Sequence, residues 1–440
     1  MMSRRSSTSI LAIVALLVAG CTAAAPTPTS SVAPPSGTAD ASRSPSGSAG
    51  VSPSPSADAQ LAAADLDRLL ELLEAIHPEP FHGVAREEWV ARLEEIKVLM
   101  AEWTPEETMV AVMELVGRLS REGQDGHQLA FPPAGGPMLP MRVFEFSDGL
   151  FITDAIQEEL IGARITSLAG RPIGDVLDLL EPLVPRDSPA TVPGFRPFYL
   201  LRADVLEGLG LIADDATIPI GLERDGKATE TTLDTVPFAD FQAWAGPFGI
   251  IHLPERDGLR FTAAEPLFWT EQLGDGALYV RLTQVQAVPT TQVAELSAAI
   301  ESAEVTRVVF DLRHNPGGNN TTYPYLLAIL NDIEQPLWVL TDRRTFSAAS
   351  NLTTELEQST DARFAGEEMG GGLNFWDDVD FIELENLPIP LSVGISTIYH
   401  QKSFAEDTRL TIEPDLAVPY TSADYFSGID ATLDAVLSAP

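Results

Sequence analysis

Apolar side chains recur at helical spacing where the readable pattern of the chain begins. Leu66, Leu69, Leu70, Leu73 and Ile76 fall three or four residues apart, which predicts an amphipathic helix that His77-Pro78 ends. Trp89, Leu93, Ile96 and Met100 mark a second helix. Thr104-Pro105-Glu106-Glu107 reads as a capping box with proline at the first helical position, and Met109, Val112, Met113, Val116 and Leu119 line the face that follows. Together these predict a small helical bundle over residues 59–136, its Met and Trp side chains in the core, with Asp125-Gly126-His127 just past the last helix.

From 137 to 241 the pattern changes to short strands and turns, carried by 149–152 and 162–173, with a helix over 176–180. A link rich in aromatic residues and proline (241–269) opens the last region, residues 242–440. There the runs 277–282, 308–312 and 337–340 are apolar and β-branched without alternation, as in strands buried on both faces. Helices over 293–300 and from about 345 separate them, and the alternation to about Tyr399 predicts an α/β sheet with crossover helices. A helix over 433–437 closes the chain.

The first 58 residues follow other rules. Arg4 and Arg5 precede an apolar run over 10–19 that is too short to span a membrane comfortably and ends Leu17-Val18-Ala19-Gly20-Cys21. Those last five residues resemble the bacterial lipobox. That implies a signal peptide over 1–20, a diacylated thiol on Cys21, and an extracytoplasmic protein anchored to the cell membrane. Cys21 is the single cysteine, so no disulfide forms within the chain. Residues 21–58 are mostly Ala, Pro, Ser and Thr; such a tract buries too little to offset its ordering entropy and predicts a disordered tether.

Charge removes one class of partner. With 27 Lys and Arg against 64 Asp and Glu, the net charge of −37 leaves no basic stripe for phosphates and argues against nucleic acid. No His, Cys, Asp and Glu set has metal-site spacing, and the glycine-rich stretches lack the lysine of a phosphate loop, so neither a metal nor another cofactor is expected.

The candidate chemistry lies between 308 and 350. The buried run 308–312 leads straight into Asn315-Pro316-Gly317-Gly318, whose glycines let backbone N–H groups approach a ligand. After the next strand, Ser347 stands where Thr345-Phe346-Ser347-Ala348-Ala349 opens a helix, and a helix N-terminus favours developing negative charge. Ser347 is the candidate nucleophile, and the N–H groups of Gly317, Gly318 and Ala348 are the candidate oxyanion hole. The bland alternative is a structural turn and a serine N-cap.

Asp311-Leu312-Arg313-His314-Asn315-Pro316-Gly317-Gly318, followed about thirty residues later by Thr345-Phe346-Ser347-Ala348-Ala349, resembles the tail-specific (C-terminal-processing) serine peptidases. The similarity is to the branch shared with tricorn-core and interphotoreceptor-retinoid-binding-protein-like modules. It implies a crotonase/ClpP-like sheet for the α/β catalytic module, preceded by the helical bundle and by a β-rich, PDZ-like domain. Residues 162–173 resemble the PDZ segment where a strand meets a turn before a helix, and such a module holds a peptide end by adding it as a strand.

The resemblance also bears on the base. Many tail-specific peptidases use a lysine some twenty-five residues after the serine, but no lysine lies between Ser347 and Lys402, and Gly370-Gly371-Gly372 stands at that place. The tricorn-like branch uses a histidine ending a helical segment, which points to His127. His400, near Lys402, is the rival; His77, His82, His252 and His314 read as turn, linker or scaffold residues. In the same pattern the orienting carboxylate falls shortly before Glu413-Pro414-Asp415, on Glu406 or Asp407, with Asp125 as runner-up. Ser350 departs from the family, which places Glu there. The expectation is a serine peptidase acting on polypeptides, of unspecified oligomeric state. The alternatives are a non-catalytic ligand-binding module on the same fold and a small-molecule amidase or esterase.

Overall fold

Ser56 caps the first helix, its Oγ accepting the Ala59 N–H at 3.1 Å, so that the helix starts two residues inside the stretch expected to be tether. The structure is a computed structural model and describes residues 56–132, 135–213, 217–246 and 253–439. The signal peptide, Cys21, nearly all of the tether and His252 lie outside the described residues.

Helices α1 (Ala57–Ile76), α2 (Arg86–Leu99) and α3 (Pro105–Gly117) follow the apolar spacing. Both halves of the capping box at Thr104 are made: Thr104 Oγ1 accepts from Glu107 N–H at 3.1 Å, and Glu107 accepts from Thr104 N–H at 2.8 Å. Trp89 is fully buried and its indole N–H donates to Leu115 O at 2.8 Å. The three helices do not close on a core of their own. Their apolar faces join one continuous cluster with the middle of the chain and with residues 382–395.

After the two-residue strand β1 (Ala130–Phe131) come β2 (Met141–Phe146), β3 (Gly149–Ala155), β4 (Arg164–Leu168) and β5 (Arg171–Pro172). Helix α4 (Ile173–Leu180) contains the helix expected over 176–180, while α5 (Thr191–Leu200) and α6 (Ala203–Gly208) occupy a stretch read from the sequence as strands and turns. β6 (Ile218–Arg224) and β7 (Lys227–Leu233) complete an antiparallel sheet of order β2-β3-β4-β6-β7, and α7 (Phe238–Ala245) leads out of it.

The last region builds a second six-stranded sheet. Five of its strands are β8 (Phe268–Gln272), β9 (Ala277–Leu282), β10 (Arg307–Asp311), β11 (Leu337–Thr341) and β12 (Arg363–Gly366), with helices α8 (Thr290–Ile300), α9 (Pro324–Asn331) and α10 (Ala348–Ser359) as crossovers. Pairing is parallel apart from β8 against β9, and β9 and β11 are buried along their whole length, as unbroken apolar runs require. Asp311 ends β10 fully buried, where Tyr279, Arg281 and the guanidinium fork of Arg313 surround it. Arg313 reaches on to Asp430 at 2.7 and 2.8 Å, joining the motif loop to the C-terminal segment.

The expected alternation stops at β12. β13 (Asn374–Leu384) and β14 (Leu391–Gln401) are consecutive antiparallel strands of a hairpin that leaves the sheet and pairs with β1. Two strands with no helix between them cannot pair in parallel, so the hairpin turns back onto the N-terminal helices instead. Asp65 of α1 clasps its turn, accepting Asn386 N–H at 2.7 Å and Asn386 Nδ2 at 3.0 Å. β15 (Leu416–Ala417), α11 (Ser422–Ser427) and α12 (Ala431–Ser438) finish the chain, with β15 at the sheet edge beside β12.

Candidate active site

The parallel sheet delivers two loops to one place. The loop after β10 carries the glycine pair and the loop after β11 carries Ser347, and Phe346 N–H donating to Asn315 O at 3.0 Å ties them. Ser347 caps α10 with φ 52° and ψ −129°, a backbone conformation that a β-substituted residue adopts only when its surroundings impose it. Gly317, at φ 99°, packs directly against it: a Cβ there would stand 2.6 Å from Ser347 Cβ and 2.8 Å from Ala348 N.

Of the three expected oxyanion donors, the Gly317 N–H is already given to Asn315 Oδ1 at 2.9 Å. Gly318 bridges Val285 through its neighbours' backbone groups, Gly317 O and Asn319 N, so its own N–H is directed away from Val285. Ala348 is the first residue of α10, where N–H groups have no partner within the helix. The pair Gly318 and Ala348 is therefore the donor set that remains for an oxyanion.

Ser347 Oγ donates to Asp377 Oδ2 across 3.4 Å, and Asp377 Oδ1 stands 3.5 Å from His127 Nε2. Both contacts are longer than an ordinary hydrogen bond. All three residues are buried, at 5% exposure for Ser347 and 2% for His127. Asp377 comes from β13, and no motif marks it in the sequence. The His127 ring lies between Phe346 (4.6 Å between centroids, 24° between planes) and Phe375 (5.6 Å, 11°), one residue before Ser347 and two before Asp377.

The other candidates are engaged elsewhere. Asp407 accepts from Ser403 Oγ at 2.6 Å and from the Arg409 guanidinium at 2.7 and 3.0 Å, and the Arg409 contact holds its carboxyl well below the usual carboxylate range. Glu406 is exposed. His400 lies beyond Phe375, 5.9 Å between ring centroids, with its Nε2 3.4 Å from Asp378. Lys402 Nζ is paired with Glu355 at 2.5 Å. His314 is buried against Asp342 in the motif loop. Ser350 Oγ donates to Thr345 O at 3.2 Å, and a Cβ on Gly371 would meet that Oγ at 2.0 Å, so the position is packed tight around a small side chain.

Asp125 is fully buried. It accepts from Ser396 Oγ at 2.6 Å and stands 3.1 Å from His77 Nε2 and 3.5 Å from His82 Nε2. Burial alone would raise its carboxyl, but the hydrogen bonds, led by that from His77, bring it below the ordinary value. The fold thus assembles a His77, His82 and Asp125 trio, with donor atoms within 4.8 Å of one another, that sequence spacing does not reveal. Its hydrogen bonding argues against a metal there. Glu79 N–H donates to His77 Nδ1 at 3.0 Å, which leaves the proton of the neutral ring on Nε2, the atom a metal would need bare.

No family model matches the sequence, and no curated relative matches it. Solved structures do. Mature CPAF complexed with lactacystin matches with a TM-score of 0.59 at 14% identity, over 87% of this chain and 98% of that one. A serine-to-alanine mutant of CPAF gives 0.60 at 14% identity, over 87% and 97%. Tricorn protease also matches, with a TM-score of 0.37 at 12% identity over 86% of this chain and 36% of that one. At 14% identity the likeness to CPAF is one of fold, and it accords with the resemblance of the two motifs to the tail-specific peptidases.

Proposed function

We propose that the protein is a serine peptidase that cleaves polypeptides through an acyl-enzyme on Ser347. The observation that carries this reading is the Asp377 carboxylate between Ser347 Oγ, at 3.4 Å, and His127 Nε2, at 3.5 Å, beside an N-terminal helix turn. Ser347 Oγ attacks the scissile carbonyl carbon, and its proton passes to the Asp377–His127 pair. The carbonyl oxygen becomes an oxyanion facing the Gly318 and Ala348 N–H groups. Collapse breaks the C–N bond, and the departing amine takes the proton. Water then repeats the sequence on the ester and frees Ser347. Polypeptide as the substrate class rests on the likeness to the tail-specific family. A serine-directed fluorophosphonate should label the protein and lose its target in Ser347→Ala; an unlabelled wild type would favour a ligand-binding module on this fold.

Two further parts belong to this reading. The sheet β2-β3-β4-β6-β7 with α4 serves as a PDZ-like holder for a chain end. Substrates with amidated C-termini should then show a raised KM with little change in kcat, and equal constants on free and blocked peptides would leave the sheet a spacer. The Leu17–Cys21 resemblance supports an extracytoplasmic, lipid-anchored enzyme on a tether. Cys21→Ala should move it from the membrane fraction to the soluble one; unchanged membrane association would remove the anchor from the proposal.

A further inference from the structure

A second carboxyl lies beside His127 and takes no part in the steps above. Asp187 is fully buried in the loop before α5. That loop is held on both sides: Gln124 N–H donates to Asp187 O at 2.9 Å, Asp125 N–H to Arg186 O at 3.2 Å, and Ser188 Oγ bonds Met369 O at 3.0 Å. Asp187 Oδ1 accepts the Gly126 N–H at 2.5 Å, immediately before His127 in the chain. Oδ2 is buried with no hydrogen-bond partner, and so are both ring nitrogens of His127. An orphaned buried oxygen of this kind is rare enough to need a reason.

The charges around Asp187 supply one. Burial pushes its carboxyl up to about 7 against the pull of His127 and the Gly126 N–H, and the Asp125 and Asp377 carboxylates push the same way as burial. The neighbouring Arg186 is turned to Glu181, 3.0 Å from its carboxylate and 2.9 Å from its carbonyl. His127, once protonated, is thus the cation that faces Asp187.

We propose that Asp187 is a positioning residue for His127, holding its loop through Gly126 and, when ionised, giving the imidazolium formed during catalysis a buried counter-charge. The working form has Asp187 ionised and His127 neutral, and the proton leaving Ser347 converts this pair to carboxylate and imidazolium. With Asp187 protonated the same transfer leaves the imidazolium with the Asp377 carboxylate, 3.5 Å from its Nε2, and without the second counter-charge. Activity therefore climbs with pH as Asp187 ionises. This rests on the peptidase reading of Ser347 and His127, and the experiment separates the two.

Asp187→Asn keeps an acceptor for Gly126 N–H and removes the charge. It should lower kcat about tenfold or more with KM little changed, and the acid limb of the kcat profile should move away from its wild-type position. A wild-type kcat and pH profile in Asp187→Asn, with Ser347→Ala inactive, would overturn this proposal and leave the peptidase reading standing. An active Ser347→Ala would instead remove that reading. Should Asp187→Asn not fold, nitrogen-15 spectra of His127 in the Ser347→Ala protein carry the test. The imidazole signals should shift across the pH range where a buried carboxyl ionises near neutrality, and a single His127 titration with no such step would overturn the coupling.

Discussion

Asp377 Oδ2 accepts the hydroxyl of Ser347 at 3.4 Å, although Ser347 caps a helix of the parallel-sheet region and Asp377 lies on the hairpin outside that sheet. If the contact belongs to catalysis, Asp377→Asn should lower kcat by about a thousandfold or more, as Ser347→Ala and His127→Ala should. The Ser347→Ala/Asp377→Asn double mutant should be little worse than either single. Asp407→Asn and Glu406→Gln should keep most activity. An inactive Glu406→Gln beside an active Asp377→Asn would move the carboxylate to the C-terminal segment.

Gly317→Ala tests the support of the nucleophile. The new methyl would stand 2.6 Å from Ser347 Cβ, on a backbone at φ 99°, so either the Gly-Gly loop or the Ser347 turn must shift. Expected is a loss of about 100-fold or more in kcat/KM with the fold retained by circular dichroism, since displacements near 1 Å carry that cost. Activity within twofold of wild type would mean that the loop yields freely.

The Asp187 carboxyl also makes a stability prediction with a definite sign. Its folded value, about 7, lies above the unfolded value of about 3.9. Between these the folded state holds the extra proton, so stability falls as pH rises and the loss is complete above about 7, at most roughly 4 kcal/mol. Melting temperature measured from pH 5 to pH 8 should drop more in the wild type than in Asp187→Asn. Parallel curves would mean that the carboxyl titrates normally.

His77→Ala should lower stability by about 1–3 kcal/mol, because it leaves the fully buried Asp125 short of its principal donor. Chelators should leave both activity and melting temperature unchanged. A chelator-sensitive melting temperature, restored by zinc, would mean that His77 turns its Nε2 lone pair to a metal.

Local pattern makes the parallel sheet legible, because β10 and β11 are runs whose every apolar residue is buried on one face or the other. The Thr104 capping box is equally readable, since its hydrogen bonds join residues three apart. Ser347 and the glycine pair stand out because their backbone needs, a positive φ and a close approach, restrict the residue types that fit. Asp377 and Asp187 carry no such mark. Each owes its place to a partner far along the chain, Asp377 through a hairpin paired with β1 and Asp187 through the backbone of 124–126. Helices α5 and α6 escape notice for a related reason, since they are short, carry Pro or Gly, and are stabilised by the shared core rather than by their own periodicity.

The clasp between Asp65 and Asn386 bears on how this chain can be cut and recombined. His127 comes from the first third of the described residues, and Asp377 rides on a hairpin whose turn is pinned by the first helix. The region from 242 onward looks like a transplantable cassette by sequence, yet it lacks its histidine and the brace of its carboxylate. If His127 serves Ser347, a crossover near residue 241 would set a serine and its carboxylate beside a histidine and a brace from another parent, and the site would form only where the two halves still fit. Selection on such a chain should favour exchange of whole genes over exchange of domains.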